Sequence, residues 1–150
     1  MDALQLGTMA FAALLSLGGG PAEPIDHTPP TKAISWALRQ VGTPYHYGGD
    51  CTAPHSGLGV HQCDCSSLVQ QAFKAAGINL PRTARQQVLA GRPVHGLAQL
   101  RPGDLLFVRW HVGIYLGEER VLHAPRSGAE VEISALQGYW SENVTAIRRV

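Results

Sequence analysis

The chain has 150 residues, enough for one domain with a real core and too few for two comfortable ones. Apolar residues make up 45% and charged residues 15%, with 17 Gly and 10 Pro, a loop-rich globular composition that excludes a disordered or collagen-like chain. With 12 Lys and Arg against 11 Asp and Glu the formal charge is +1, so no basic excess attracts phosphate and nucleic acid is not the expected partner.

In chain order, residues 1–22 read as an apolar export or anchoring segment, a route to a membrane or to a preceding domain. The apolar centre Met9 to Leu17 has the length of a signal-peptide core, but Asp2 replaces the usual basic flank. Residues 23–31, EPIDHTPPT, read as a Pro-rich linker, and the folded domain is expected over 32–150. Ala33, Ile34, Ala37, Leu38 and Val41 recur at helical spacing after Thr31 as cap, which predicts a first helix from Thr31 to Val41. Gly42, Pro44, Gly48 and Gly49 break it, and Asp50 to Gln62 is an irregular loop.

Leu68, Val69, Ala72, Phe73 and Ala76 then form one apolar stripe before Gly77, which predicts a central helix over Asp64 to Ala76. Beyond it the period changes. LLFVRW, HVGIYLG, RVLHA, AEVEI and TAIRRV are short β-branched or aromatic runs between turn residues, and they predict an antiparallel sheet. Helices first and strands afterwards define an α+β domain with the central helix packed on the sheet.

The three cysteines, Cys51, Cys63 and Cys65, fall close together, and an odd number cannot all pair. Cys63 and Cys65 are too near for an easy bridge, so Cys51 to Cys63 is the favoured disulfide, leaving Cys65 free. A zinc site of Cys51, His55, His61 and Cys63 is the alternative, although its spacing departs from the usual zinc patterns.

Cys65 lies where the central helix begins, where backbone N–H groups and the helix dipole favour an anion and are expected to lower the thiol pKa. His111 and His123 are the candidate bases. A turn with an odd number of residues at Gly117-Glu118-Glu119 puts the two on one face, diagonally adjacent, whereas a two-residue turn puts them on opposite faces. On one face, His123 can fix the tautomer of His111 and leave its other nitrogen for Cys65.

The segments VGTPYHYGG, DCSSLVQQAF, LPRTARQQ, LRPGDLLFV, HVGIYLG and VLHAPRSG, in this order, resemble the NlpC-type cysteine peptidases, bacterial cell-wall endopeptidases with a papain-like core. The resemblance spans Ile34 to about Ile133. It implies Cys65 as nucleophile, His111 as general base, His123 as the orienting third residue, no cofactor and no catalytic metal. It also implies a substrate, the peptidoglycan stem peptide cut beside D-γ-glutamyl and commonly between it and a diamino acid, and with it a secreted or envelope location and a monomer.

By the same resemblance Tyr45 lines the cleft near the oxyanion, Asp64 anchors a substrate amine or backbone, and Ser66 belongs to the same subsite. Read from the residues alone, Tyr45 packs equally well under the helix and Asp64 serves as a helix cap. Arg82 could reach a carboxylate or, with Arg85 and Arg92, belong to a solvated basic face. Two departures stand out: Ser67 where the family has Gly, a side chain that could crowd the cleft floor, and the long stretch Asp50 to Cys63. An acyltransferase or amidase on the same scaffold, and a wall-binding module without turnover, are the alternative functions.

Overall fold

A computed structural model describes residues 28–150, so the apolar segment 1–22 and most of the expected linker lie outside the described residues. Helix α1 is Pro29–Leu38, beginning inside the stretch read as linker. The reason is that Pro29 and Pro30 occupy the first turn, where a missing N–H costs nothing and the fixed φ already suits a helix. Thr28, not Thr31, holds the N-cap position. The helix also ends before Val41, because the backbone tightens into turns closed by Gln40 N–H to Ala37 O and Val41 N–H to Leu38 O, and Gly42 follows at φ +90°.

Helix α2 is Cys65–Ala75, flanked by Asp64 and Ala76 as caps. Leu68, Val69, Ala72 and Phe73 are fully buried, facing α1 through Ala33 and Ala37 and the sheet through Val112 and Ile114. Burying a side chain the size of Phe73 contributes about 2–3 kcal/mol. A short helix α3, Ala84–Gln87, follows, capped by the Thr83 side chain; the sequence pattern did not reveal it.

Six strands make one antiparallel sheet: β1 (Arg92–Pro93), β2 (Leu105–Val108), β3 (His111–Gly117), β4 (Arg120–His123), β5 (Glu132–Ala135) and β6 (Ala146–Arg149). Their spatial order is β1-β6-β2-β3-β4-β5, so β2 and β3 are central. Leu105 and Phe107 join the core under α2, whereas Leu106 and Val108 join a second cluster with Tyr115, Val121 and Trp140. Both faces of β2 are therefore buried, which explains its unbroken LLFV run. No helix among the described residues is long and apolar enough to cross a membrane.

The β3–β4 hairpin decides where the histidines go. Gly117 pairs with Arg120, so the turn has the two residues Glu118 and Glu119, both at positive φ as a type I′ turn requires. Such a turn was expected to separate His111 from His123. It does not, because the register shifts between Tyr115 and Gly117: Tyr115 pairs with Val121, and Leu116 is an extra residue bulging from β3. The bulge restores the odd offset and returns both rings to one face.

Candidate active site

Asp64 fixes the start of α2. Its carboxylate accepts from the Ser67 N–H at 2.9 Å, while the Ser67 hydroxyl accepts from the Asp64 N–H at 2.9 Å, a closed capping box. Ser67 is 0% exposed, so the side chain that departs from the family's Gly points into the cap and not into the cleft. Arg82 donates to Asp64 Oδ2 at 2.8 Å, to Ser66 Oγ at 2.9 Å and to the Gly49 carbonyl at 2.8 Å. Arg82 is thus a buttress of the helix start and no part of a solvated basic face. Burial works to raise the Asp64 pKa, but the Arg82 guanidinium and the Ser67 N–H outweigh it and hold the carboxyl below its ordinary value. With Gly48 N–H also on Oδ2, the carboxylate is occupied by its own fold, which supports the cap reading over the amine anchor.

Cys51 and Cys63 form a disulfide, and Cys65 is the free cysteine among the described residues. The bond takes both thiols that the zinc alternative required, while His61 contacts Asp50 at 3.2 Å. The closed loop is pinned to the neighbouring motif: the His46 N–H donates to the Cys63 carbonyl at 2.9 Å, and Tyr45 bridges Cys63. Gly49 permits this approach, since a Cβ there would stand 2.0 Å from the Gln62 carbonyl oxygen. The loop therefore buttresses both Tyr45 and the start of α2.

A cavity of about 590 Å³ brings Tyr45, Cys65, His111 and His123 together. Cys65 comes from the helix and the histidines from the sheet, meeting where β3 begins. The main-chain N–H groups of Val112 and Ser66 and the Ser66 hydroxyl favour a thiolate at Cys65. Even so, burial pushes the thiol up, with the Asp64 charge adding to it. The lowering expected from the helix start is outweighed, because desolvation of a thiolate costs more than the two N–H groups and the hydroxyl return. Tyr45 is raised to about 12, first by burial and then by Cys65 and Asp64, so its phenol stays protonated and a donor.

His111 Nε2 and His123 Nδ1 lie 2.7 Å apart. His123 Nε2 continues to Ser134 Oγ at 2.8 Å and Glu132 Oε1 at 3.4 Å, both on β5. Burial lowers the pKa of His111 to about 4, with His123 adding to it; His123 is lowered to about 4 by burial and then by Arg126. At neutral pH thiol and imidazoles are all uncharged. Trp140 packs on both rings, centroids 5.4 and 5.1 Å away. Gly113 makes room for it, since a Cβ there would meet the indole at 2.9 Å.

Glu132, Ser134 and Trp140 escaped the sequence reading. For Glu132 and Ser134 a signal existed: two polar residues at a spacing of two in a strand run, able to face one side of a neighbour.

A helix-borne cysteine laid against an antiparallel sheet that carries two bonded imidazoles defines a papain-like α+β core. Residues 42–149 match the NlpC/P60 family, and the chain belongs to it. It is 34% identical over 129 residues to the murein DD-endopeptidase MepH of Escherichia coli, covering 79% of this chain and 45% of that protein. To the gamma-D-glutamyl-L-lysine dipeptidyl-peptidase of Bacillus subtilis it is 36% identical over 118 residues, covering 73% and 37%. The chain thus spans less than half the length of these two relatives. Among solved structures it resembles a hypothetical invasion protein of Mycobacterium tuberculosis, with TM-score 0.70, 31% identity and coverage of 81% and 61%. It also resembles the P60 domain of a Mycobacterium avium subspecies paratuberculosis antigen, with TM-score 0.69, 30% identity and coverage of 81% and 93%.

Proposed function

We propose that the chain is a peptidoglycan-cleaving cysteine endopeptidase that hydrolyses the stem peptide beside D-γ-glutamyl, through Cys65, His111 and His123. The observation that carries this reading is the 2.7 Å contact between His111 Nε2 and His123 Nδ1 at a cavity that Cys65 also lines. The Glu132 carboxylate, 3.4 Å from His123 Nε2, can only accept, which favours the proton on Nε2 and leaves Nδ1 to accept from His111 Nε2–H. That leaves His111 Nδ1 unprotonated, the tautomer a general base needs.

In the first half-reaction Cys65 Sγ attacks the carbonyl carbon while its proton passes to His111 Nδ1. The oxyanion forms against the Cys65 N–H and the protonated Tyr45 phenol. The C–N bond breaks, the leaving nitrogen takes the proton from Nδ1, and a thioester remains. Water then attacks the thioester, giving its proton to Nδ1, and the sulfur recovers that proton as the acid departs. Because both partners rest uncharged, proton transfer accompanies attack and no ion pair is stored beforehand.

Relatives named for γ-glutamyl bonds support the choice of bond, among them the dipeptidyl-peptidase above and a gamma-DL-glutamyl hydrolase of B. subtilis. The relative named as a DD-endopeptidase favours a second reading, cleavage at a D,D bond. The disulfide supports an oxidising, extracytoplasmic location. Digestion of purified peptidoglycan with mass spectrometry of the fragments tests all of this. Wild type should release fragments ending in D-γ-glutamyl with water as acyl acceptor, and Cys65→Ala or His111→Ala should lower the rate by at least about 10³-fold while the fold persists. Full activity in either variant overturns the assignment. An amine acceptor would mark an acyltransferase, and binding without fragments a wall-binding module.

A further inference from the structure

A second cavity, of about 360 Å³, opens beside the first, and Trp110 and His111 line both. Ala84, Val88, Phe107 and Val108 give it an apolar wall. Trp110 sits in the two-residue turn between β2 and β3, 69% exposed, at φ +63°. A bulky side chain in the left-handed region costs about 1 kcal/mol or more and persists where the surroundings impose it. The guanidinium groups of Arg85, from α3, and Arg109 each lie 5.9 Å from the Trp110 ring centroid. Among the described residues no Asp or Glu lines this cavity and neither arginine forms an ion pair.

The proposed chemistry gives the substrate a direction, and the inference rests on it. The carbonyl carbon must reach Cys65 and the leaving nitrogen must reach His111. The acyl side therefore lies in the cavity shared by Cys65 and Tyr45, and the leaving side continues past His111 into the cavity that Cys65 does not line. We propose that this second cavity is the leaving-group subsite, and that Arg85 and Arg109 select a diamino acid carrying a second, free carboxylate over lysine. The methylenes of such a side chain lie along the apolar wall and its carboxylate meets the two arginines. A lysine side chain brings only a cation toward two cations and loses that contact.

Two synthetic peptides test the subsite, L-Ala-γ-D-Glu-meso-diaminopimelate and L-Ala-γ-D-Glu-L-Lys, assayed with the full chain. Wild type should prefer the first by about fivefold in kcat/KM, the scale of two exposed ion pairs. R85Q/R109Q should bring the ratio to within about twofold, and R85E/R109E should reverse it, again on the scale of exposed pairs. An equal ratio in wild type, or a ratio that survives either double variant, overturns the proposal. Titration of both peptides into the Cys65→Ala protein separates this from the hydrolase reading. A retained difference in Kd with no turnover by wild type leaves the subsite standing and overturns hydrolysis; equal Kd values, or binding of neither peptide, overturn the subsite.

Discussion

Two arginines three residues apart in the chain, Arg82 at the start of α2 and Arg85 on the wall of the second cavity, have opposite fates. Arg82 is closed in by Asp64, Ser66 and Gly49, with every contact made to its own fold. Arg85 lies over an exposed indole and forms no ion pair among the described residues. The difference separates charge that builds a site from charge that reads a ligand. Paired charge beside the α2 start holds Cys65 in place, and unpaired charge beside His111 is left for something that arrives.

Breaking the paired side should produce the largest effect. Arg82→Ala leaves the Asp64 carboxylate, 11% exposed in its side chain, without its cation. A fully buried pair broken on one side costs 3–5 kcal/mol; with Arg82 itself 34% exposed we expect about 2 kcal/mol and roughly 8 °C in Tm. Arg85→Ala should stay within about 0.5 kcal/mol, as exposed substitutions do. Parallel thermal melts check both, and equal losses would erase the distinction.

The pH profile comes next. His111 titrates at about 4 in the folded chain against an ordinary 6.5, because burial penalises its cation. A base with an ordinary pKa would lose about tenfold in kcat/KM at pH 5.5, whereas a base at about 4 loses less than about twofold. The two histidines are coupled, so the acid limb belongs to the pair. Stability follows the same sign. Both folded pKa values lie below the unfolded one, so the neutral-state stability is complete above pH 6.5 and is lost as pH falls through about 4. Rates and melts between pH 4 and 8 check this, and an acid limb near 6.5 would mean that the imidazoles are solvated.

What the chain announced and what it concealed divide along the range of the forces. The α2 helix was legible because its signals are local: Asp64 as cap, an apolar stripe, and Gly77 as stop. The disulfide was legible from an odd count of cysteines and their spacing, and most of the strands from short β-branched or aromatic runs between turn residues. The orientation of the histidines was not, because one bulged residue, Leu116, reverses the parity of a hairpin and no residue type signals it. The thiol pKa was misjudged because helix position is local while burial depends on the packing of distant elements. Arg82 took its role from Asp64, Ser66 and Gly49, partners 16 to 33 residues away that only the tertiary fold supplies. Pro29 and Pro30 misled differently: two prolines open a helix as readily as they extend a linker.

The smallest expected effect lies at the far end of the histidine pair. His123 Nε2 has two acceptors of unequal quality, Ser134 Oγ at 2.8 Å and, farther, the half-exposed Glu132 carboxylate at 3.4 Å. Ser134→Ala removes the shorter contact and leaves Glu132, so kcat should fall only about threefold with KM unchanged, the signature of a group that orients a base without touching substrate. E132Q/S134A leaves an amide that can offer its N–H as well as its oxygen and so no longer dictates which His123 nitrogen carries the proton. Its kcat should fall further, by about tenfold. Nitrogen NMR of the His123 ring should then report a mixture of tautomers where wild type shows one. If the double variant keeps both the wild-type kcat and a single tautomer, the β5 contacts are packing alone, and His123 is oriented by Trp140 and the sheet.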